Sequence, residues 1–294
     1  MQFPRMDAKT ALALLGVCSV LAGCERDAGQ AESSVPVAPQ AGAASATAPP
    51  GAPTASATAS PNPDVPLVEQ SLAYGEAANT NLVGYLVMPA DVVEPLPGLI
   101  VIHGEAGLDE QTRELARRLA AERYIALAVD LYAGVSAQDG SDAATRAGAL
   151  VEQSEATLAN IRQAYDYLTK YAFVPSVAAI GMSSGGSWAL RAGIAMPDEL
   201  DGVVVYYGQV ITETAALSQL TAPVLGHFAA LDEAIPTADV RVFRSRLGEL
   251  TKRGEINIHP NVRAGFANPA SSTYDAAAAD EAWKLTVEFL KLNL

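Results

Sequence analysis

Ala179-Ile180-Gly181-Met182-Ser183-Ser184-Gly185-Gly186 decides the fold. The octapeptide continues the apolar run Ser176-Val177-Ala178-Ala179-Ile180 and leads into a helical pattern, which sets a G-x-S-x-G signature between a strand and a helix. A strand that turns abruptly into a helix brings backbone against backbone, and Gly181 and Gly185 omit the Cβ atoms that would collide there. Ser183 then stands exposed at the tip of the turn, as a nucleophile must. Ser184 follows with a backbone N–H at the helix start, where unpaired donors and the positive end of the helix dipole favour a developing oxyanion. Short matches of this kind also occur in plain Gly/Ser turns, and the flanking strand and helix are what mark a nucleophile elbow.

Outward from the elbow, strands alternate with helices. Val65 to Tyr74 and Leu82 to Met88 read as an opening strand pair, and Gly98 to His103 as a continuous apolar strand of the buried kind. A helix from Glu110 to Arg123 presents Leu115, Ala116, Leu119 and Ala120 on one face, and the strand Tyr124 to Val129 follows. A long helix carries the stripe Leu158, Ile161, Tyr165 and Leu168. Beyond the elbow come strands Gly202 to Tyr207, Pro223 to Phe228 and Glu255 to Ile258. They are separated by a helix with Val240, Phe243, Leu247 and Leu250, and closed by one with Ala279, Trp283, Val287 and Leu290. Such alternation implies right-handed crossovers and a single α/β domain over residues 65–294, a mostly parallel central sheet with helices on both faces.

The first 64 residues differ in kind. Arg5 and Lys9 precede an apolar stretch from Thr10 to Ala22 that is short for a bilayer span, the pattern of a secretion signal. It ends Leu21-Ala22-Gly23-Cys24, which resembles the bacterial lipobox. That resemblance implies a lipid on Cys24 and a mature protein held outside the cytoplasm at the cell envelope, facing the periplasm if the source is Gram-negative. Residues 25–64 are almost entirely Ala, Pro, Ser, Thr, Gly and Val without periodicity, so they read as a disordered tether. A flexible chain of that length spans about 35 Å. The formal net charge of −14 argues against nucleic acid as a partner. The only cysteines are Cys18 and Cys24, so the domain has no thiol nucleophile and no cysteine metal site. The histidines at 103, 227 and 259 lack ligand spacing, and no metal or other cofactor is expected.

In open α/β sheets ligands bind beyond the carboxyl ends of the strands, so the loops after the strands carry the chemistry. These are His103-Gly104-Glu105-Ala106-Gly107, the elbow, Leu231-Asp232-Glu233, and Asn261 to Phe266. An acid after the nucleophile suits a serine hydrolase, and Asp232 fits. His259, at a strand end beside the last loop, is the one histidine placed to serve as base, with packing as its alternative. Glu105 is either a solvated carboxylate or a base, His103 and His227 read as buried strand residues, His103 with orientation of the oxyanion loop as its alternative, and Arg263 either meets a substrate carboxylate or lies in water.

With these residues in view, the domain resembles the dienelactone hydrolase family of α/β-hydrolases. The likeness rests on His103 to Leu108, Val129-Asp130-Leu131-Tyr132, the elbow, Tyr206-Tyr207-Gly208, His227 leading to Asp232, and Gly265-Phe266-Ala267-Asn268 before a helix with Ala282-Trp283. It implies oxyanion donors from Ser184 and from the Gly104-Glu105 loop, with the Glu105 N–H as the second. There are departures. Ser183 stands where the family usually has cysteine, Gly104 holds the place of a glutamate that often follows the loop histidine, and Asn268 replaces an arginine that grips a substrate carboxylate. The family's catalytic histidine precedes Gly-Phe, and here that position is Ala264, which accepts no proton. The expectation is therefore an exported, lipid-anchored hydrolase of small esters or lactones with Ser183, Asp232 and a base from His259 or Glu105. The alternative is a degenerate hydrolase fold that binds a small molecule or an envelope partner.

Overall fold

In the computed structural model residues 65–77, 80–134 and 140–294 are described; the expected signal segment 1–24 with Cys24 and the expected tether 25–64 lie outside the described residues. Strands β1 (Leu67–Ala77) and β2 (Thr80–Pro89) form the expected opening pair, which runs antiparallel. Strands β3 (Gly98–Ile102) and β4 (Ile125–Val129) are buried at every position, as continuous apolar runs must be when helices cover both faces. They are followed by β5 (Val177–Met182), β6 (Gly202–Tyr206), β7 (Val224–Ala229) and β8 (Gly254–His259). The eight strands run in the order β1-β2-β4-β3-β5-β6-β7-β8. β2 meets β4 antiparallel, and from β4 to β8 all pairings are parallel.

Seven helices lie among the described residues: α1 (Glu110–Ala121), α2 (Gly140–Glu152), α3 (Ser154–Lys170), α4 (Ser184–Ala195), α5 (Thr214–Ser218), α6 (Thr237–Glu249) and α7 (Ala276–Asn293). Successive strand residues alternate between two buried clusters. Leu99 and Val101 pack with Leu115 and Leu119 of α1 and Trp283 and Leu290 of α7, whereas Ile100 and Ile102 pack with Ile161 of α3, Trp188 of α4 and Phe243 of α6. The period of two along each strand thus feeds two helical layers, the three-layer arrangement that the alternation predicts. Each fully buried Leu, Ile or Phe contributes roughly 1.5–3 kcal/mol.

Helix ends follow local chemistry: Asp109 caps α1 by accepting from Thr112 N–H, and Asp275 caps α7 by accepting from Ala278 N–H. Helices α2 and α5 go beyond the sequence reading. α2 has no fully buried residue, its Leu150 resting only partly covered on the core, and α5 is only five residues long. Because β3 and β5 to β8 run parallel, the loops after them gather at one edge.

Candidate active site

Ser183 is the single residue between β5 and α4, with φ 55° and ψ −126°. A side chain other than glycine at positive φ costs of order 1–3 kcal/mol and persists only where its surroundings fix it. Here Ser183 N–H donates to Tyr206 O at 2.9 Å, across to the neighbouring strand. The flanking glycines are compulsory: a Cβ on Gly181 would lie 2.3 Å from the Gly185 carbonyl carbon, and one on Gly185 would lie 2.2 Å from Ile102 O. The turn has the geometry of a nucleophile elbow.

The loop after β3 closes over this turn. A Cβ on Gly104 would lie 3.8 Å from Ser183 Cβ, so the loop backbone passes beside the nucleophile. Glu105 completes the contact: its Oε1 accepts from Ser183 Oγ–H at 2.9 Å and from Ser184 N–H at 3.2 Å. Glu105 is half-buried, and its carboxylate meets the serine. That carboxylate is placed to take the hydroxyl proton, and it occupies the first donor of the expected oxyanion hole. His103 fixes the loop. Its Nδ1 bonds to Gly104 O at 2.7 Å while Nε2 accepts from Leu131 N–H at 3.0 Å, so the proton sits on Nδ1. Burial lowers the His103 pKa, which keeps the ring neutral in this role.

The expectation that His259 supplies the base is corrected. Its Nε2 bonds to His227 Nδ1 at 3.2 Å, its Nδ1 faces Glu281 Oε2 at 3.6 Å, and its ring packs on Phe266. Both ring nitrogens are therefore engaged by groups other than Ser183. The side chain of a residue on a strand points to one face only, and at the end of β8 that face is the one under α7. His227 continues inward to Thr286 Oγ1 at 3.2 Å, and burial pushes its pKa down to about 3.

Asp232 lies in the loop after β7, where Oδ1 accepts from Ala234 N–H at 2.9 Å and Ile235 N–H at 3.0 Å. Its Oδ2 is buried without a hydrogen-bond partner. Arg263 takes the solvent option, exposed and paired with Glu233. A cleft of about 380 Å³ opens at the elbow, and Ser183, Glu105, Ala264, Tyr207, Arg118 and Asn268 line it. Ala264 therefore faces the nucleophile's cleft without a proton-accepting group. Sequence reasoning left Tyr207 and Arg118 unassigned. Tyr207 carried a signal, since it directly follows an apolar strand, whereas Arg118 is one of two adjacent arginines on a helix and nothing local separates them.

Residues 82–294 match the model of the dienelactone hydrolase family. A protein of Escherichia coli O157:H7 named "Putative carboxymethylenebutenolidase" is 28% identical over 226 residues, covering 72% of this chain and 82% of that one. Among solved structures, a dienelactone hydrolase-like promiscuous phosphotriesterase from metagenomic libraries superimposes with a TM-score of 0.70 at 22% identity, covering 77% of this chain and 98% of that one. At that identity the structural likeness bears on the fold alone.

Proposed function

The chain belongs to the dienelactone hydrolase family and has an α/β-hydrolase fold, and from that premise we propose that it hydrolyses small carboxylic esters or lactones through Ser183. The observation that carries the reading is the Ser183 hydroxyl bonded to the Glu105 carboxylate at 2.9 Å inside the cleft. In the proposed reaction Glu105 takes the hydroxyl proton as Ser183 Oγ bonds to the carbonyl carbon. Once neutral, Glu105 releases Ser184 N–H to the new oxyanion and returns its proton to the departing alcohol or ring oxygen. Water, activated by the same carboxylate, then frees the acid. A carboxylate is a weaker base than imidazole by about two pKa units in the unperturbed residues. Turnover without a histidine is accordingly slow beside that of a complete triad.

A second reading, a binding protein built on this fold, is favoured by Ala264 in the cleft and by the Asp232 oxygen that has no partner. The two part on one experiment. The purified protein and its Ser183→Ala and Glu105→Gln variants are given p-nitrophenyl acetate and a fluorophosphonate probe. Turnover and labelling that need both residues support the hydrolase, and a folded protein with neither is a binder.

We also propose export and lipid attachment at Cys24. Support comes from the sequence alone, the positive start, the short apolar stretch and Leu21-Ala22-Gly23-Cys24. Incorporation of labelled palmitate that is lost in Cys24→Ala tests it.

A further inference from the structure

Tyr207 directly follows β6 and lines the same cleft as Ser183 and Glu105. Its φ is 36°, a backbone setting that a bulky aromatic residue rarely takes, and strain of this kind clusters at working sites. The chain on either side is tied to the elbow. Tyr206 O accepts from Ser183 N–H at 2.9 Å, Gln209 N–H donates to Ser187 Oγ at 2.7 Å, and a Cβ on Gly208 would lie 2.5 Å from Ser187 N. Tyr207 N–H donates to His227 O at 2.7 Å, and its ring meets Phe266 edge to face at 5.5 Å. The side chain is thus fixed relative to the nucleophile. Its hydroxyl donates to Met182 Sδ at 3.3 Å, and a thioether is a weak acceptor. A buried donor that settles for sulfur beside the nucleophile has room for a better acceptor. Burial holds the phenol far above its ordinary range, so the group keeps its proton.

Resting on the hydrolase reading above, we propose that the Tyr207 hydroxyl is a catalytic hydrogen-bond donor to the carbonyl oxygen that gains charge when Ser183 attacks. As Ser183 Oγ bonds to carbon and its proton passes to Glu105, the carbonyl π pair moves onto oxygen, which accepts from Tyr207 O–H and Ser184 N–H. Collapse re-forms the carbonyl, breaks the bond to the leaving oxygen, and returns the proton from Glu105 to that oxygen. Tyr207 remains protonated throughout.

Tyr207→Phe removes one oxygen and leaves the ring packing. The expected result is a kcat on p-nitrophenyl acetate lowered about 100-fold with KM changed less than about threefold. Affinity for an alkyl boronic acid, whose adduct on Ser183 carries the charged tetrahedral oxygen, should fall by a similar factor. A kcat within about threefold of wild type, or a lower kcat with boronate affinity intact, overturns the role of Tyr207 while Ser183-dependent turnover still upholds the hydrolase. Wild-type protein without Ser183-dependent turnover overturns both. If the variant does not fold, 3-fluorotyrosine at position 207 keeps the ring and alters only donor strength, and unchanged kcat and boronate affinity then count against the proposal.

Discussion

At the scale of single residues, the site sets the Ser183 hydroxyl against the Glu105 carboxylate. The Glu105 oxygen touches both the Ser183 hydroxyl and the Ser184 N–H, so in the proposed reaction one side chain takes the proton and, once protonated, frees the oxyanion donor. Glu105→Gln keeps the shape and removes the base; the expected loss in kcat is at least about 100-fold with little change in thermal midpoint, read by ester hydrolysis and calorimetry. Ala264→His tests the converse. Ala264 lines the cleft with Ser183, and the buried Asp232 Oδ2 lacks a donor. An imidazole between them should raise kcat at least about tenfold and add to the pH–rate profile a group titrating near pH 6.5. A flat profile at the wild-type rate counts against that geometry. The elbow itself was legible in the sequence because its strand, turn and helix are consecutive and Gly181 packs directly on Gly185 and Gly186. The partner of Ser183 was not, because Glu105 lies 78 positions away along the chain.

At the scale of elements, the elbow and the strand β3 beside it are joined by contact too close for any side chain. Gly185→Ala would press its Cβ to 2.2 Å from Ile102 O and 2.6 Å from His103 O, both backbone atoms that cannot turn aside. The expected outcome is loss of several kcal/mol, seen as a large drop in urea midpoint or as insoluble protein. The β7, β8 and α7 elements share a different device, the chain from Thr286 through His227 to His259. His227 has a folded pKa of about 3 against an ordinary 6.5, so between these values the unfolded chain binds more protons. Stability is therefore complete above about pH 6.5 and falls as pH drops through the window, by up to about 1.4 kcal/mol per pH unit for this ring. Urea unfolding at about pH 7 and pH 5 should show a steep decline in wild type that His227→Gln flattens. Periodicity made most elements readable; α2, which has no fully buried residue, was not among them.

At the scale of the whole molecule, the described fold lies within residues 65–294, and the proposed export and lipid-attachment signals lie in the first 64 residues. If Cys24 carries a lipid, Cys24→Ala should move the protein from the membrane to the soluble fraction with specific activity kept within about twofold, because the cleft lies in residues 102–271. Fractionation with an activity assay checks this, and activity lost with the anchor contradicts the tether's independence. The sequence by itself determined the layered α/β architecture, since strand runs, helical stripes and a glycine-framed serine each act over a few neighbouring residues. Tertiary structure alone decided which groups meet at that serine. Whether Glu105 or His259 reaches Ser183 depends on how loops from separate strands converge at one sheet edge, and on which face of β8 its last side chain takes. Those are long-range packing outcomes that no local pattern encodes.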